Sequence, residues 1–297
     1  METLALLWLL VPYLGFASQS VGDRVRRFFR RQVNHLVLML GALLVPYLLM
    51  TAPGAQRNLS GFANGLLAMA AYVFVPGALA FYRQKAARPR PLDLADALTI
   101  PMLWLPVEFG WLPAVSVRVA GLDVSLSQLT GVALTLLIFL VIRPLAQIGY
   151  TFMLTARDLR RAGIAALAFA VVAIPLGLLT GFIAWRPPAG VYLDVLIVRF
   201  VGVFFLVALP EELLFRGIIQ NLIEKRYAER NAALIVAAIL FGAAHLNDAL
   251  APNYLYALLS VAAGVAYGWV WMHTRKITAA ALAHTLVNWV WVVLFGG

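Results

Sequence analysis

The sequence predicts an all-α fold in which about ten apolar segments form a polytopic helical bundle in a membrane. Of the 297 residues, 63% are hydrophobic and only 12% are charged, and the mean hydropathy is +0.89. A soluble domain carries about 25% charged residues. The chain therefore has too few polar residues to cover a surface that faces water.

Long uncharged runs predict helices rather than a barrel. Every backbone amide in lipid must be satisfied internally, so a span is either a helix or a strand of a closed barrel. These runs are too continuous for the alternating strands of about ten residues that build a barrel. The predicted segments are residues 4–16, 33–50, 62–82, 92–112, 126–142, 164–183, 193–223, 232–246, 254–273 and 277–295.

Some segments depart from this simple pattern. Segment 92–112 is interrupted by Pro101 and Pro106. The stretch 144–159 is less apolar than its neighbours, and we expect it to lie along the inner interface as an amphipathic helix.

Basic residues alternate between loops, and this alternation predicts the topology. Loops with single arginines contain Arg57, Arg118 and Arg186. The richer loops contain Arg24, Arg26, Arg27, Arg30 and Arg31; Arg83, Lys85, Arg88 and Arg90; Arg143, Arg157, Arg160 and Arg161; Lys225, Arg226 and Arg230; and Arg275 and Lys276. By the positive-inside rule, both termini face away from the cytoplasm. The net charge of +10 then indicates contact with anionic membrane lipid rather than nucleic acid.

The amino-acid composition also limits the possible chemistry and indicates the cellular location. The chain has no cysteine, which excludes disulfides, iron–sulfur clusters, thiolate zinc sites and a cysteine nucleophile. Its compactness and its bias towards Ala, Arg and Leu favour a multi-pass protein of a bacterial plasma (inner) membrane.

Ionisable residues inside apolar segments are expensive and are functional candidates by default. Three segments in the last third of the chain carry them. At ~1.5 Å of rise per helical residue, they can share one level in the middle or inner half of the membrane. These polar groups are Glu211, Glu212 and Arg216; His245; and His284 and Asn288.

Helical spacing separates the roles of the two adjacent acids. Glu212 and Arg216 are four residues apart, share a face and can neutralise each other. Glu211 points about 100° away and remains available for chemistry. Pro210 should break or kink the helix just before the acids. Because broken helices at membrane depth line cavities, we expect an intramembrane cavity in the C-terminal part.

The candidate groups suit hydrolysis by activated water. A carboxylate with an imidazole can deprotonate water, and an imidazole with an amide N–H can stabilise an oxyanion. Cleavage of a peptide bond without a covalent intermediate fits this set, and no cofactor is expected. The alternative is zinc bound by Glu211, His245 and His284, although the tight His-Glu-x-x-His spacing is absent.

At these residues the chain resembles the CAAX-protease and bacteriocin-processing family, also called the Abi family, of glutamic intramembrane proteases. Its members include the type II CAAX prenyl endopeptidase. The family pattern is Glu-Glu-x-x-x-Arg, then Phe-x-x-x-His, then His-x-x-x-Asn or Asp, and the resemblance covers about residues 193–295. Every position of the pattern matches: Glu211, Glu212, Arg216, Phe241, His245, His284 and Asn288.

The resemblance implies roles for the residues that would touch substrate. Glu211 is implied to be the general base that activates water, with His245 as its helper. His284 and Asn288 are implied to stabilise the oxyanion.

The same resemblance implies supporting residues and a division of the chain. Glu212 and Arg216 are implied to be positioning residues, and Phe241 is implied to pack near the site. Residues 191–297 would form the protease core, and residues 1–190 would form N-terminal membrane segments of unassigned role.

Other function classes remain open on the sequence alone. The fold could serve a non-catalytic membrane immunity or scaffold protein, or a proton-coupled transporter. The complete motif set favours the enzyme, and the lack of a visible repeat between halves speaks against the transporter. The expected substrate is a peptide or membrane-anchored protein, processed at a C-terminal tail, a leader peptide or a sorting anchor.

Overall fold

The computed structural model describes residues 1–29, 32–84, 91–187, 190, 192–247 and 253–295. Among the described residues, helices predominate and one short hairpin is the exception to the all-α prediction. The chain divides into two compact units, Met1–Ala146 and Gln147–Gly297. Five residues of the basic loops lie outside the described residues: Arg30, Arg31, Lys85, Arg88 and Arg90.

The N-terminal unit contains seven helices and a β-hairpin in the part of the chain that is described. They are α1 (Glu2–Gly15), α2 (Gln19–Phe29), α3 (Val33–Ala42), α4 (Val45–Thr51), α5 (Leu59–Gln84), α6 (Leu94–Glu108), β1 (Ser116–Val119), β2 (Leu122–Ser125) and α7 (Leu126–Leu137). A 3₁₀ turn at Ala52–Arg57 extends α4, and a π-type turn at Ile138–Ile142 extends α7.

The hairpin was not predicted. β1 and β2 pair antiparallel, and both residues of the turn between them, Ala120 and Gly121, have positive φ angles of 51° and 82°. Two successive positive φ angles match the right-handed twist of the strands. The signal was present in the sequence, because apolar and polar residues alternate on both sides of the Ala-Gly pair.

The N-terminal unit also holds a buried ionic cluster. Asp96 is 2% exposed and binds Arg143, which is 4% exposed. Beside them, Arg83 Nε donates to Asp93 Oδ2 over 2.9 Å. Arg143 was assigned to a basic loop on sequence grounds, but its guanidinium is paired inside the unit because an unpaired buried charge is too costly.

The described residues of the C-terminal unit form seven α-helices joined by turns and non-helical segments. They are α8 (Ala156–Leu179), α9 (Leu193–Gly202), α10 (Leu209–Glu212), α11 (Asn221–Tyr227), α12 (Arg230–Ala244), α13 (Tyr254–Thr274) and α14 (Ile277–Leu294). Thr155 and Asp158 form a capping box at the start of α8, which satisfies the first amides of that helix.

Helices α9, α10 and α11 form one continuous helical stretch of 35 residues, Leu193–Tyr227. The helix therefore does not break at Pro210, and the alternative of a kink there stays a prediction. π-type turns at Val203–Ala208 and Leu213–Gln220 flank α10. These wider turns re-pair the backbone around the missing proline N–H, so the helix continues.

Small residues let α12 and α13 approach closely. A Cβ added to Gly264 would lie 3.0 Å from the Cα of Ala238, and one added to Gly242 would lie 2.6 Å from the Ala257 carbonyl oxygen. Helices in lipid associate through such close backbone contact. The packing brings the end of α12 and one face of α13 to the same region.

The segment before α8 is not the predicted amphipathic helix, because α8 begins only at Ala156. Residues 144–155 instead include a strap that bonds to the start of α14. Ile277 N donates to Gly149 O over 3.1 Å, and Thr278 Oγ1 donates to Thr151 O over 2.5 Å. Residues 144–155 thus make hydrogen bonds to α14 in place of the helical hydrogen bonds that were predicted.

Six described helical stretches are long and apolar enough to cross a membrane, and the α1–α2 pair, bent by 103°, would add a seventh. All ten predicted segments fall on helices. Three of these helices have fewer than the 18 residues that a span needs: α6, α12 and the stretch Leu126–Ile142. The chain is an integral, multi-pass membrane protein, and the count of ten spans stays a prediction.

We expect Gly149→Ala to destabilise the C-terminal unit. Gly149 has a φ of +76°, and an added Cβ would overlap the carbonyl oxygen of Arg275. Such backbone strain costs about 1–3 kcal/mol. Thermal unfolding in detergent measures it. Gly163→Ala is the control, because its Cβ meets nothing within 4 Å and alanine favours helix by about 0.5–1 kcal/mol. Equal melting temperatures for the two variants would contradict the close packing of the strap at Gly149 against Arg275.

Candidate active site

A cavity of about 470 Å³ lies inside the C-terminal unit. Four predicted site residues line it together: Glu211, His245, His284 and Asn288. They come from α10, the end of α12, and α14. The structure therefore contains the intramembrane cavity that the sequence predicted. Most of the remaining wall is apolar or aromatic, including Phe169, Phe182 and Trp291.

Glu212 and Arg216 form the ion pair that their spacing predicts. Arg216 Nε lies 3.1 Å from Glu212 Oε2, and both side chains are 0% exposed. Arg216 also donates to the Gly264 carbonyl oxygen over 3.0 Å, and its guanidinium lies 4.5 Å from the centre of the Phe241 ring. The pair thus connects the long helix to α13 and to α12.

Glu212 has a second partner that no local pattern could indicate. His284 Nδ1 lies 3.0 Å from Glu212 Oε1, and the two residues are 72 positions apart. A carboxylate only accepts hydrogen bonds, so this contact assigns the proton to Nδ1. One carboxylate therefore neutralises Arg216 with one oxygen and orients the imidazole of His284 with the other.

The second nitrogen of His284 points towards Asn288 and Glu211. Asn288 Nδ2 lies 3.1 Å from His284 Nε2, so the amide donates to the neutral imidazole. Glu211 Oε2 lies 3.9 Å from the same nitrogen. That distance is too long for a direct hydrogen bond.

The two adjacent glutamates have different environments. The Glu211 side chain is 31% exposed, whereas that of Glu212 is completely buried. Because Glu211 lines the cavity, its carboxylate can meet a substrate or water. The helical separation predicted from the sequence thus places one acid in the cavity and the other in the protein interior.

His245 ends α12 and opens towards the same cavity. Its Nδ1 donates to the Phe241 carbonyl oxygen over 2.8 Å, which leaves Nε2 as the nitrogen that can take up a proton. The ring centre of Phe241 lies 4.6 Å from that of His245 and 5.8 Å from that of His284. Phe241 therefore packs against both imidazoles.

Helix α13 contributes polar groups that the motifs did not include. Tyr256, Ser260 and Tyr267 line the cavity, and the Tyr267 ring stacks on His284 with 4.6 Å between ring centres. Their spacing of four and seven residues puts them on one helical face. That periodicity was visible in the sequence, but nothing local indicated which face meets the cavity.

The geometry does not group the alternative zinc ligands. Within the described ranges, no three His, Cys, Asp or Glu side chains converge closely enough to hold a metal ion. Glu211 and His284 approach each other, but they form no such set with His245. The role of each site residue, and the absence of a cofactor, stay predictions.

The site lies within the part of the chain that matches a known family. Residues 193–290 match the family described as type II CAAX prenyl endopeptidase Rce1-like. No curated protein and no solved structure matches the chain. The match confirms, for the C-terminal region, the resemblance drawn from the three motifs. At the level of the family it supports an intramembrane protease of the CAAX type, and hence a hydrolase.

We expect Glu212→Gln to lower the free energy of unfolding by about 3–5 kcal/mol, since it leaves the buried Arg216 without a counter-charge. Thermal unfolding in detergent measures the loss. Glu211→Gln is the matched control, because it makes the same change at the adjacent, partly exposed side chain and leaves the Glu212–Arg216 pair in place. Adding Arg216→Met to Glu212→Gln should recover much of the stability, as apolar replacement of a buried pair does. Equal stability of the two single variants would contradict the assignment of the pair.

Proposed function

We propose that this protein is an intramembrane endopeptidase that cleaves a peptide bond with a water activated by Glu211, without a covalent intermediate. One observation carries the proposal: the accessible carboxylate of Glu211 shares a cavity with two imidazoles and a carboxamide. The buried and neutralised Glu212 beside it leaves Glu211 as the acid available to substrate. The protein would reside in a bacterial plasma membrane.

The reaction begins with proton transfer from water. Glu211 takes the proton, with the Nε2 atom of His245 assisting, and the water oxygen attacks the carbonyl carbon of the substrate. The proton held by Glu211 then passes to the amine that leaves. The Glu211 side chain is 31% exposed and lines the cavity, which supports its contact with a water there.

The oxyanion forms beside Asn288 and His284. Asn288 Nδ2 carries two N–H groups, and in the resting arrangement one of them donates to His284 Nε2. The other is available to the oxyanion. In enzyme that has already taken up a proton from solvent on His284 Nε2, this Nε2–H is a further donor to the oxyanion, and the Asn288 amide no longer donates to that nitrogen. The Glu212 carboxylate on Nδ1 stabilises the imidazolium, which keeps its proton throughout the reaction.

The cavity wall supports a hydrophobic substrate. Aromatic and aliphatic side chains from α8, α13 and α14 surround the polar groups, among them Phe169, Leu259 and Trp291. A cavity with few polar groups and an apolar lining is typical of ligand sites. We propose a peptide or membrane-anchored protein substrate whose cleavage site is a C-terminal tail, a leader peptide or a sorting anchor.

We expect Glu211→Gln and His245→Ala to abolish cleavage while both proteins still accumulate. Asn288→Ala should lower kcat by about 10²–10³, as loss of one oxyanion donor does. The measurement is peptide release from membrane proteins, followed by mass spectrometry, beside thermal unfolding of each variant. Asn58→Ala, in the N-terminal unit, is a control that changes the same residue type outside the site. Near-normal cleavage by Glu211→Gln would exclude this glutamate mechanism, and absence of cleavage by the wild type would favour a transporter or scaffold role.

We expect a strong chelator to leave activity intact, because the proposed base is a carboxylate and no step needs a metal ion. Cleavage is measured after treatment with EDTA or phenanthroline and dialysis. A loss of activity that stoichiometric zinc restores would instead favour the alternative in which Glu211, His245 and His284 bind zinc.

A further inference from the structure

We infer that Tyr267 is a positioning residue that holds the imidazole of His284 in the orientation needed for catalysis. This inference rests on the proposed function, since it concerns the histidine assigned to the oxyanion. Tyr267 belongs to none of the three motifs. It lies on α13, is 1% exposed, and lines the cavity.

The contact between the two rings is a parallel stack. The ring planes of Tyr267 and His284 are inclined by 13°, with 4.6 Å between centres. Phe241 meets His284 edge-on at 89°. The phenol face therefore covers the imidazole, while the phenylalanine edge supports it from another direction.

Stacking removes a motion that the hydrogen bonds alone would permit. Glu212 holds Nδ1 and Asn288 meets Nε2. Hydrogen bonds tolerate moderate tilting, so the ring could still rock by small rotations about its Cβ–Cγ bond. The Tyr267 face blocks this movement, because rocking would drive the imidazole into the phenol ring.

Tyr267 is itself fixed by the backbone around it. Gly264 and Gly268, on either side of Tyr267 in α13, lie against Ala238 and Leu234 of α12. The Arg216 guanidinium lies 5.6 Å from the centre of the Tyr267 ring. The same arginine pairs with Glu212, so the tyrosine, the ion pair and the histidine form one connected cluster.

The consequence concerns the transition state more than substrate binding. An oxyanion donor acts when charge develops, so a poorly held His284 should lower kcat and leave KM nearly unchanged. The ring makes the contact, so Tyr267→Phe should keep the function and Tyr267→Leu should lose it.

The first test compares steady-state kinetics of these two variants. We expect Tyr267→Phe to retain kcat within about twofold and Tyr267→Leu to lose about 10–10² in kcat with little change in KM. Trp271→Leu is the control for loss of a buried aromatic from α13, since Trp271 is 0% exposed. Kinetics are normalised to folded protein. An equal loss of kcat in Tyr267→Phe and Tyr267→Leu would overturn the inference, because the hydroxyl would then be the active group. An unchanged kcat in Tyr267→Leu would also overturn it.

The second test asks whether Tyr267 acts through His284. In a His284→Ala background, Tyr267→Leu should cause no further loss of kcat, since the group it positions is gone. An additive loss would overturn the inference. If Tyr267→Leu does not accumulate, Tyr267→Met, which fills more of the same volume, replaces it in both tests.

A third measurement does not depend on activity. Nitrogen NMR of histidine-labelled protein reports the Nδ1–H tautomer of His284, assigned by subtraction with His284→Ala among the four histidines. Glu212 keeps the proton on Nδ1 in each variant, so we expect narrow His284 nitrogen signals in wild type and Tyr267→Phe, and broadened signals in Tyr267→Leu because its imidazole moves. Equally narrow His284 signals in Tyr267→Leu would overturn the inference. Absence of cleavage by the wild type would instead overturn the proposed function.

Discussion

The structure of the site depends on one fully buried carboxylate with two partners. An ionised carboxylate without exposure is too costly unless it is paired and hydrogen-bonded, and Glu212 meets both conditions through Arg216 and His284. Because these partners lie on different helices, the same interaction that makes the charge tolerable also fixes the position of α14 against the long helix. The orientation of His284, and through it the arrangement of Asn288, follows from that bond.

Glu211, the acid next to Glu212, shows that identical side chains in different environments can serve different roles. Glu211 and Glu212 differ by one helical position, yet one side chain is 31% exposed and the other 0%. The approach of α12 to α13 at Gly242 and Gly264 contributes to this difference, because it brings the α13 face with Tyr267 and the Gly264 carbonyl close to Arg216. Bulkier residues at these glycines would separate the two helices and expose the Glu212–Arg216 pair to lipid or water.

Short-range geometry was predictable from the sequence and long-range geometry was not. The pair Glu212–Arg216 and the contact of His284 with Asn288 both follow from a spacing of four residues in a helix. The bond between Glu212 and His284 spans 72 positions, and helix periodicity carries no information about which helices meet. A break at Pro210 and a helix spanning 144–159 did not form, for a related reason. Local propensity was overridden by π-type turns in one case and by bonds from the strap to α14 in the other.

Part of the cavity wall comes from outside the region that carries the reactive groups. Every polar group proposed to act on substrate lies within residues 193–290, which match the family. Helix α8 also lines the cavity, through Phe169, Ala170 and Ala173, although Ala156–Leu179 lies outside the matched range. The division at residue 190 followed the motifs, whereas the compact unit begins at Gln147 and includes α8. The groups proposed to break the peptide bond are therefore those with a family pattern, while part of the surface that would select the substrate has none. A substrate inferred from the family alone would ignore α8.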